Sequence, residues 1–304
     1  MTVLTPDPGA PRKVLLATDL SARCDRALER AVSIARRHDA HLVIVHVLED
    51  FDEPSQTYRG HSPPSWRRPP DAVAMMKRRA ANELRADLDG AVENATILIE
   101  QGDPAEILEK VAISEQPDLV VTGLAREGLF ANHPVVLGKN VEQLLRRLPV
   151  PILIVKRRVR SAYQHILVTT DFLEPSAHAL QAALRFFPVQ DIHLLHASEA
   201  PYASLVSDSE AHLRNFRETR AAELDTFLAS IFMSESDRNR LVRLIEVGMP
   251  QQRIREYVEQ RGADLVVLGT HGRSAVLELF LGSTAKSILS TLPCDALVMR
   301  GPSK

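Results

Sequence analysis

Residues 14–19 read VLLATD and residues 166–171 read ILVTTD, so one aliphatic run that ends in Thr-Asp occurs in each half of the chain. A second pair follows further along, where residues 118–123 read DLVVTG and residues 264–269 read DLVVLG. The matches keep the same order in both halves, as two copies of one domain must. The chain is therefore predicted to be a tandem duplication.

The fold class follows from how each copy alternates short aliphatic runs with longer helix-patterned stretches, which is typical of βαβ units around a parallel sheet. Runs such as 42–47 and 152–155 are almost continuously aliphatic, as expected for strands with helices on both faces. We expect two doubly wound, Rossmann-like α/β domains, over 1–157 and 158–304, each with a parallel sheet of roughly five strands. The basic link at 156–160 is short, so the two domains should pack together as a pseudo-dimer.

The first strand of each copy should be followed by a turn and then a helix. Ser21 is the predicted N-cap of this helix in the first half, and Pro175 and Ser176 are predicted to begin its counterpart. The stretch 50–70 is different, because it is rich in proline and contains Trp66, and it predicts a long loop. The sequence does not decide whether this loop is a linker or a surface for a partner.

Composition excludes several classes of protein. Hydrophobic residues make up 45% of the chain and charged residues 25%, as in an ordinary globular protein, and the net charge is only −2, so nucleic acid and membrane surfaces are not expected partners. No apolar run approaches the ~18 residues of a membrane span, and no signal peptide is evident, so a cytoplasmic location is expected. Cys24 and Cys294 lack any metal-binding or redox spacing and are expected to be buried thiols.

The most informative segment lies at 269–273, which reads GTHGR and is followed by Gly282-Ser283-Thr284 and a helix-forming run. Glycines let the backbone approach a phosphate closely, and free N–H groups at a helix start attract anions. Ser283 and Thr284 add hydroxyl donors at the same point. Glycines that only form turns are the alternative, which the complete set disfavours. The pattern therefore predicts a phosphate-binding segment.

This pattern resembles the universal stress protein family, whose ATP-binding members carry G-x-x-G, nine further residues and then G-[ST] after the fourth strand. Gly269, Gly272, Gly282 and Ser283 match every position of that motif. The resemblance covers both halves and departs at Asp295, where many relatives have proline. It implies a fold like that of the adenine nucleotide alpha hydrolases and a bound ATP, AMP or ADP, with or without Mg²⁺.

The resemblance also implies where the nucleotide lies. The first and fourth strands of a domain would be neighbours, so Asp171 would bind the nucleoside and the Gly269 backbone would lie near the ribose, beyond the carboxyl ends of the strands where such sheets bind ligands. The role of His271 is open between nucleotide contact and exposure to solvent, whereas His46 and His196 are better explained by packing. The predicted nucleotide-binding residues are Thr170, Asp171, Ala197, Gly269, His271, Gly272, Arg273, Gly282, Ser283 and Thr284.

In the first half the motif is degenerate. Two extra residues separate Gly123 from Gly128, and Lys139-Asn140 stands where the second half has Ser283-Thr284. Lys139 could contact a phosphate, or its charge could fill an empty site. The residues of this degenerate site are Asp19, Val47, Gly123, Gly128, Gly138, Lys139 and Asn140.

Several functions remain open at this stage. A P-loop NTPase and a dinucleotide-binding Rossmann enzyme are disfavoured, because their glycine patterns are missing. No catalytic residue and no metal ligand is predicted, since no water-activating base can be identified near the phosphate segment. The sequence favours an ATP-binding regulatory or stress-tolerance factor over a slow ATPase or phosphoryl-transfer enzyme, with a mainly structural pseudo-dimer as a further alternative. A protein partner and a homodimer are both left open.

Overall fold

The computed structural model describes residues 11–21, 24–48, 72–90, 92–123, 138–148, 150–202, 208–269 and 282–300. Within these ranges the chain forms ten strands and nine helices, which alternate along most of its length. None of the helices in these ranges is long and apolar enough to cross a membrane.

The two halves contain corresponding elements in the same order. The first half comprises β1 (Lys13–Thr18), α1 (Asp25–His38), β2 (His41–Leu48), α2 (Ala72–Leu88), β3 (Ala95–Gln101), α3 (Pro104–Glu115), β4 (Leu119–Gly123), α4 (Lys139–Arg147) and β5 (Ile152–Val155). The second half comprises β6 (Ile166–Thr169), α5 (Glu174–Phe186), β7 (Ile192–Ser198), α6 (Ser209–Ala229), α7 (Glu235–Asn239), β8 (Leu241–Val247), α8 (Pro250–Arg261), β9 (Leu265–Gly269), α9 (Ser283–Thr291) and β10 (Asp295–Met299).

All ten strands belong to one sheet, in the order β3-β2-β1-β4-β5-β10-β9-β6-β7-β8. The strands are parallel within each half, and the halves meet where β5 and β10 pair antiparallel. The prediction of two doubly wound halves with five parallel strands each is confirmed. Their fusion into one continuous sheet is a feature that the sequence did not indicate.

The core lies on both faces of this sheet. Val14 and Leu16 of β1 belong to one hydrophobic cluster, whereas Leu15 and Ala17 belong to another. Each cluster extends into the second half of the chain. Side chains alternate between the two faces of a strand, so a strand buried on both faces needs the continuous aliphatic run that the sequence has.

A pseudo-two-fold axis passes through the β5–β10 pair. Leu153 lies opposite Leu297, the residue at the same position in the other copy, and the flanking pairs follow symmetrically. Contacts across the axis are reciprocal: Lys156, after β5, donates to carbonyl groups at the end of α9, and Arg300, after β10, donates to the Arg146 carbonyl at the end of α4. The two halves therefore pack edge to edge in equivalent ways.

A salt bridge also crosses the axis between the two helices that follow the glycine motifs. Lys286 Nζ of α9 lies 2.5 Å from Glu142 Oε1 of α4. Glu142 and Lys286 occupy the same position in their helices, three residues after the first helical residue. A second cation, Arg146, lies 3.7 Å from the Glu142 carboxylate on the same helix.

Asp295 connects the link between the two halves to the sheet through hydrogen bonds. Its side chain is almost fully buried at the start of β10, and its Oδ1 accepts hydrogen bonds from the backbone N–H groups of Lys156 at 2.7 Å and Arg157 at 2.9 Å. Its Oδ2 accepts a hydrogen bond of 2.6 Å from the hydroxyl group of Tyr163. The first half has Pro151 at this position, so the acidic residue is a difference between the copies.

The same carboxylate is paired with a cation from the first half. Arg30 of α1 is buried, with Nη2 3.7 Å from Asp295 Oδ2, and its guanidinium lies over the Tyr163 ring at 4.1 Å from the centroid. Its Nη1 donates to the Ser161 carbonyl at 3.0 Å. Asp295 therefore joins α1, the link and β10 in one buried polar cluster. The division at residues 157 and 158, which falls within this link, stays a prediction.

The predicted N-cap of α1 is wrong. Helix α1 begins after Cys24, and no side chain caps it. Ser21 instead belongs to the turn that precedes the helix, where its backbone N–H donates to Asp19 Oδ1 at 2.9 Å and its carbonyl accepts from the Cys24 N–H at 2.8 Å. In the second half α5 begins at Glu174, so Pro175 and Ser176 lie in its first turn, as the sequence predicts.

The proline-rich stretch 50–70 lies outside the described residues, between β2 and α2. We expect limited proteolysis to cut this stretch first, because exposed segments without periodic apolar residues are the preferred sites of nicking. Mass spectrometry of the first fragments would locate the cut. First cleavage within 265–290 would contradict the prediction.

Candidate functional site

The carboxyl edge of the sheet in the second half brings together residues from two neighbouring strands. Strand β6 pairs with β9 on one side and β7 on the other, so Asp171, just after β6, and Gly269, at the end of β9, lie at the same edge. The connections that leave β6 and β9 run in opposite directions, through α5 to β7 and through α9 to β10, and open α/β sheets bind ligands in the crevice so formed. Ala197, near the end of β7, lies next along the same edge.

A tight turn fixes Asp171 at this edge. Asp171 Oδ1 accepts a hydrogen bond of 3.2 Å from the Leu173 N–H, and Thr170 Oγ1 accepts one of 3.0 Å from the Phe172 N–H. Phe172 has a left-handed φ of 67°, which an L residue adopts only where surrounding contacts enforce it. In the described residues no hydrogen bond to Asp171 Oδ2 is found, so this oxygen can serve a ligand.

The first half contains the same turn. Asp19 Oδ1 accepts from the Ser21 N–H and Thr18 Oγ1 accepts from the Leu20 N–H at 3.1 Å, and Leu20 has a φ of 57°. Two copies with different sequences thus keep a strained turn that orients an aspartate. The hydroxyl of buried Thr170 also hydrogen-bonds Ser176 Oγ at 2.9 Å, so this predicted ligand residue is engaged inside the turn.

Gly269 has a packing role in the structure. A Cβ atom at this position would lie 3.0 Å from the backbone carbonyl carbon and oxygen of Pro175, which is tighter than most real Cβ contacts, so the start of α5 would have to shift slightly. The absence of a side chain lets the first turn of α5 pack against the end of β9. A contact between Gly269 and ribose stays a prediction.

Helix α9 begins with the second part of the predicted phosphate segment. Gly282 is its N-cap residue, Ser283 and Thr284 are its first residues, and no side chain caps the helix. The first N–H groups of such a helix lack intrahelical partners and, with the helix dipole, favour an anion. His271, Gly272 and Arg273 lie outside the described residues, so their predicted contacts stay predictions.

The two histidines at equivalent strand ends make packing contacts. Nδ1 of His196 donates to the Thr170 carbonyl at 2.9 Å, and Phe172 stacks on the ring with centroids 4.1 Å apart. His46 Nδ1 donates to the Thr18 carbonyl at 3.0 Å. Each histidine therefore supports the turn that carries the neighbouring aspartate, which agrees with the packing role favoured by the sequence.

The degenerate site of the first half contains a cavity of about 160 Å³ at the corresponding edge. Apolar side chains of β2, α3 and α4 form much of the wall, and Asp19, Thr122 and Asn140 contribute polar groups. Gly138 is the N-cap of α4 and Lys139 is its first residue, as Gly282 and Ser283 are in α9. Gly128 lies outside the described residues. The cavity is lined by Ala17, Thr18, Asp19, Cys24, Val45, Val47, Pro104, Leu108, Thr122, Gly123, Asn140, Val141 and Leu144.

Cys24 is a lining residue of this cavity that the sequence reading missed. Burial raises the pKa of the Cys24 thiol to about 11, so the neutral thiol donates a hydrogen bond to Asp19. Burial alone would raise the pKa of Asp19, but hydrogen bonds from Cys24 and Ser21 outweigh it and lower that pKa. Alignment of the copies, which places Cys24 opposite Ser176, could have revealed this position. Cys24 and Cys294 are both free and buried, as predicted.

The part of this edge that the structure describes was also compared with the needs of a metal ion. Among the described residues, no group of three or more His, Cys, Asp or Glu side chains is arranged to hold a metal ion.

The fold and the edge described above define a doubly wound α/β protein with a ligand crevice at the carboxyl ends of its strands. The sequence pattern of the universal stress protein family matches residues 11–156 and again residues 162–300. The chain belongs to this family, as a member with two tandem domains.

Individual relatives agree with this assignment. "Universal stress protein E" of Salmonella typhi is 25% identical over 324 residues, covering 95% of this chain and 94% of its own. The "Universal stress protein in QAH/OAS sulfhydrylase 3'region" of Thermus aquaticus is 33% identical over 150 residues, 48% of this chain and 98% of its own. The crystal structure of a universal stress protein from Archaeoglobus fulgidus shares the fold, with a TM-score of 0.66 at 22% identity over 96% of this chain and 99% of its own.

Proposed function

We propose that the protein binds an adenine nucleotide, ATP in the first place, in its second domain, and acts as a cytoplasmic nucleotide-dependent regulatory or stress-tolerance factor. One observation supports the proposal. In a chain of this family, Asp171, Gly269 and the start of α9 lie at the carboxyl ends of neighbouring strands, at the same edge of the sheet. The domain bounds that go with the proposal are 1–157 and 158–304.

The nucleoside part of the ligand would lie against the turn after β6. Asp171 Oδ1 is held by the Leu173 N–H, which leaves Oδ2 to accept hydrogen bonds from ribose hydroxyl groups. Ala197, near the end of β7, is mostly buried and would give the base only a small apolar contact. Because the turn is already hydrogen-bonded, the carboxylate needs little reorganisation to bind.

The phosphate part would lie at the start of α9. Ser283 and Thr284 are exposed there, so their hydroxyl groups and the first backbone N–H groups of the helix can donate to phosphate oxygens. His271, Gly272 and Arg273 complete the proposed segment. Mg²⁺, if present, would be held through phosphate oxygens and water.

Binding is favoured over catalysis in this proposal. Phosphoryl transfer depends on a positioned base or water-orienting group and on metal-binding carboxylates, and the sequence offers no such set near the phosphate segment. A slow ATPase or phosphoryl-transfer enzyme is the second candidate. It would require a group in 270–281 to orient water.

The first domain would bind ATP weakly. Lys139 and Asn140 replace Ser283 and Thr284, and the spacing of the glycines differs, although the cavity beside Asp19 and Val47 remains. The cavity favours a nucleoside there over a triphosphate. ATP, AMP and cyclic AMP should therefore be compared as ligands.

A pair of matched variants tests the proposal. In Gly282→Val a β-branched side chain would occupy the space where the backbone and a phosphate approach, so the affinity for ATP should fall by about a hundredfold, equivalent to about 2.7 kcal/mol. Gly138→Val is the matched control, because Gly138 and Gly282 are the N-caps of equivalent helices with φ of −58° and −56°. These values suit valine, so both variants should fold.

Isothermal titration calorimetry with ATP on the parent and both variants measures the effect. We expect one strong site per chain, lost in Gly282→Val and kept in Gly138→Val, with unchanged circular dichroism. Two strong sites in the parent, or loss through Gly138→Val alone, would show that Lys139 and Asn140 form a phosphate site of their own. No binding of any adenine nucleotide would end the proposal.

A further inference from the structure

Lys286 lies one helical turn from the start of α9, where the phosphates of the proposed ligand would bind. Its backbone N–H donates to the Gly282 carbonyl at 2.9 Å and makes the first hydrogen bond of the helix, so the N–H groups of residues 283–285 precede the helical ladder. Side chains on an α-helix lean toward its N-terminus, and about half of the Lys286 side chain is exposed. A flexible cation can therefore reach the donors of the proposed phosphate site.

This cation is paired with the first domain. Lys286 Nζ lies 2.5 Å from Glu142 Oε1, and this is the only polar contact of the Lys286 side chain within the described part of the chain. The Glu142 carboxylate has a second cation on its own helix, because Arg146 Nη2 lies 3.7 Å from Oε2. Ion pairs between partly exposed groups are weak, so Lys286 can exchange Glu142 for another anion at a small cost.

The charges at the two helix starts differ between the copies. Helix α4 carries Glu142 in its first turn, whereas the first turn of α9 contains no acidic residue and is followed by Lys286. A carboxylate near a helix start opposes a phosphate bound there, and an ammonium group attracts it. The position that the two helices share thus favours phosphate in the second domain and disfavours it in the first.

We propose that Lys286 binds the phosphate groups of the nucleotide, and that Glu142 of the first domain competes with those groups for its ammonium. Phosphate binding exchanges an ion pair between the domains for a contact with the ligand. The first domain thereby tunes the affinity of the second domain for polyphosphates. This inference rests on the nucleotide binding proposed above, and its effect should grow with the number of phosphates on the ligand.

Calorimetric titration with adenosine, AMP and ATP tests the exchange. Lys286→Met should weaken ATP binding by about tenfold, the worth of one charge-assisted hydrogen bond, with a smaller effect on AMP and none on adenosine. Glu142→Gln should strengthen ATP binding by about two- to fivefold, because the competing carboxylate is lost. Lys77→Met and Glu109→Gln are the matched controls, since each removes the same charge from a partly exposed ion pair elsewhere.

The double variant Lys286→Met/Glu142→Gln separates exchange from simple repulsion between charges. If Glu142 acts through Lys286, the Glu142 substitution should change ATP affinity much less when Lys286 is absent. Circular dichroism establishes that each variant is folded. ATP binding by the parent that is unchanged in both single variants, an equal loss of adenosine and ATP binding in Lys286→Met, or an undiminished effect of Glu142→Gln in the double variant would overturn this inference alone. A parent that binds no adenine nucleotide would overturn the proposed function as well.

Discussion

Replacing Asp295 by alanine is expected to lower the free energy of unfolding by about 3–5 kcal/mol, the usual cost of removing one partner of a buried ion pair. The substitution leaves the buried Arg30 guanidinium without its carboxylate, at a site where the carboxylate is almost fully buried. It also removes the acceptor for the N–H groups of Lys156 and Arg157 and for the hydroxyl of Tyr163. Urea unfolding followed by circular dichroism measures the change.

Asp118→Ala provides the matched control for this prediction. Asp118 also accepts two backbone hydrogen bonds, from the N–H groups of Arg12 and Lys13 at 2.8 and 2.9 Å, but these are exposed or partly buried. Its loss should cost only about 1–2 kcal/mol. In the double variant Arg30→Met/Asp295→Leu, the uncompensated charge is absent, so part of the stability should return. Equal losses for Asp118→Ala and Asp295→Ala would contradict the buried-pair explanation.

Alkaline pH should destabilise the protein through Tyr163. Burial is the main cause that raises the pKa of Tyr163 well above its ordinary value, the Asp295 charge adds to it, and Arg30 acts in the opposite direction. The unfolded chain then loses the tyrosine proton near pH 10, while the folded protein keeps it. The contribution of Tyr163 to the free energy of unfolding is therefore constant below about pH 10. Above pH 10 it falls by up to about 1.4 kcal/mol per pH unit.

The contribution of Tyr163 can be isolated by substitution. Urea unfolding of the parent and of Tyr163→Phe should be compared between pH 8 and 11 (about the range that brackets tyrosine ionisation). Burial also raises the pKa values of Cys24 and Cys294, to about 11 and 12, so these thiols also lower the stability of the protein at alkaline pH. This effect is present in both proteins. The difference between the two proteins therefore reports Tyr163, and it should shrink as the pH rises. A constant difference would contradict the prediction.

Much of the architecture could be predicted because it depends on local patterns. Continuous aliphatic runs specify strands buried on both faces, and the repeated order of the runs specifies the duplication. The pairing of β5 with β10 could not be predicted in the same way. It depends on which strand edges remain unpaired in each folded half, and this is a tertiary property.

The polar residues also differ in whether local patterns or tertiary contacts determine their positions. Asp171 and Gly269 could be placed at one edge because parallel strands bring their carboxyl ends together. Asp295 was recognisable only as a departure from the family pattern, since its partners come from distant parts of the chain. Ser21 was misassigned because capping propensity ignores competition: the turn after β1 uses its backbone groups before α1 begins.

The salt bridge between Glu142 and Lys286 has a consequence for how such proteins assemble. In a dimer of identical subunits, a residue on the two-fold axis meets its own copy, so a glutamate there faces a glutamate. A fused pair of domains is free of that constraint, and here the two axial positions carry opposite charges. Pairing of two first domains, or of two second domains, would oppose like charges. The opposite charges thus favour pairing of a first domain with a second domain over pairing of like domains. Because both domains lie in one chain, this pairing is independent of protein concentration.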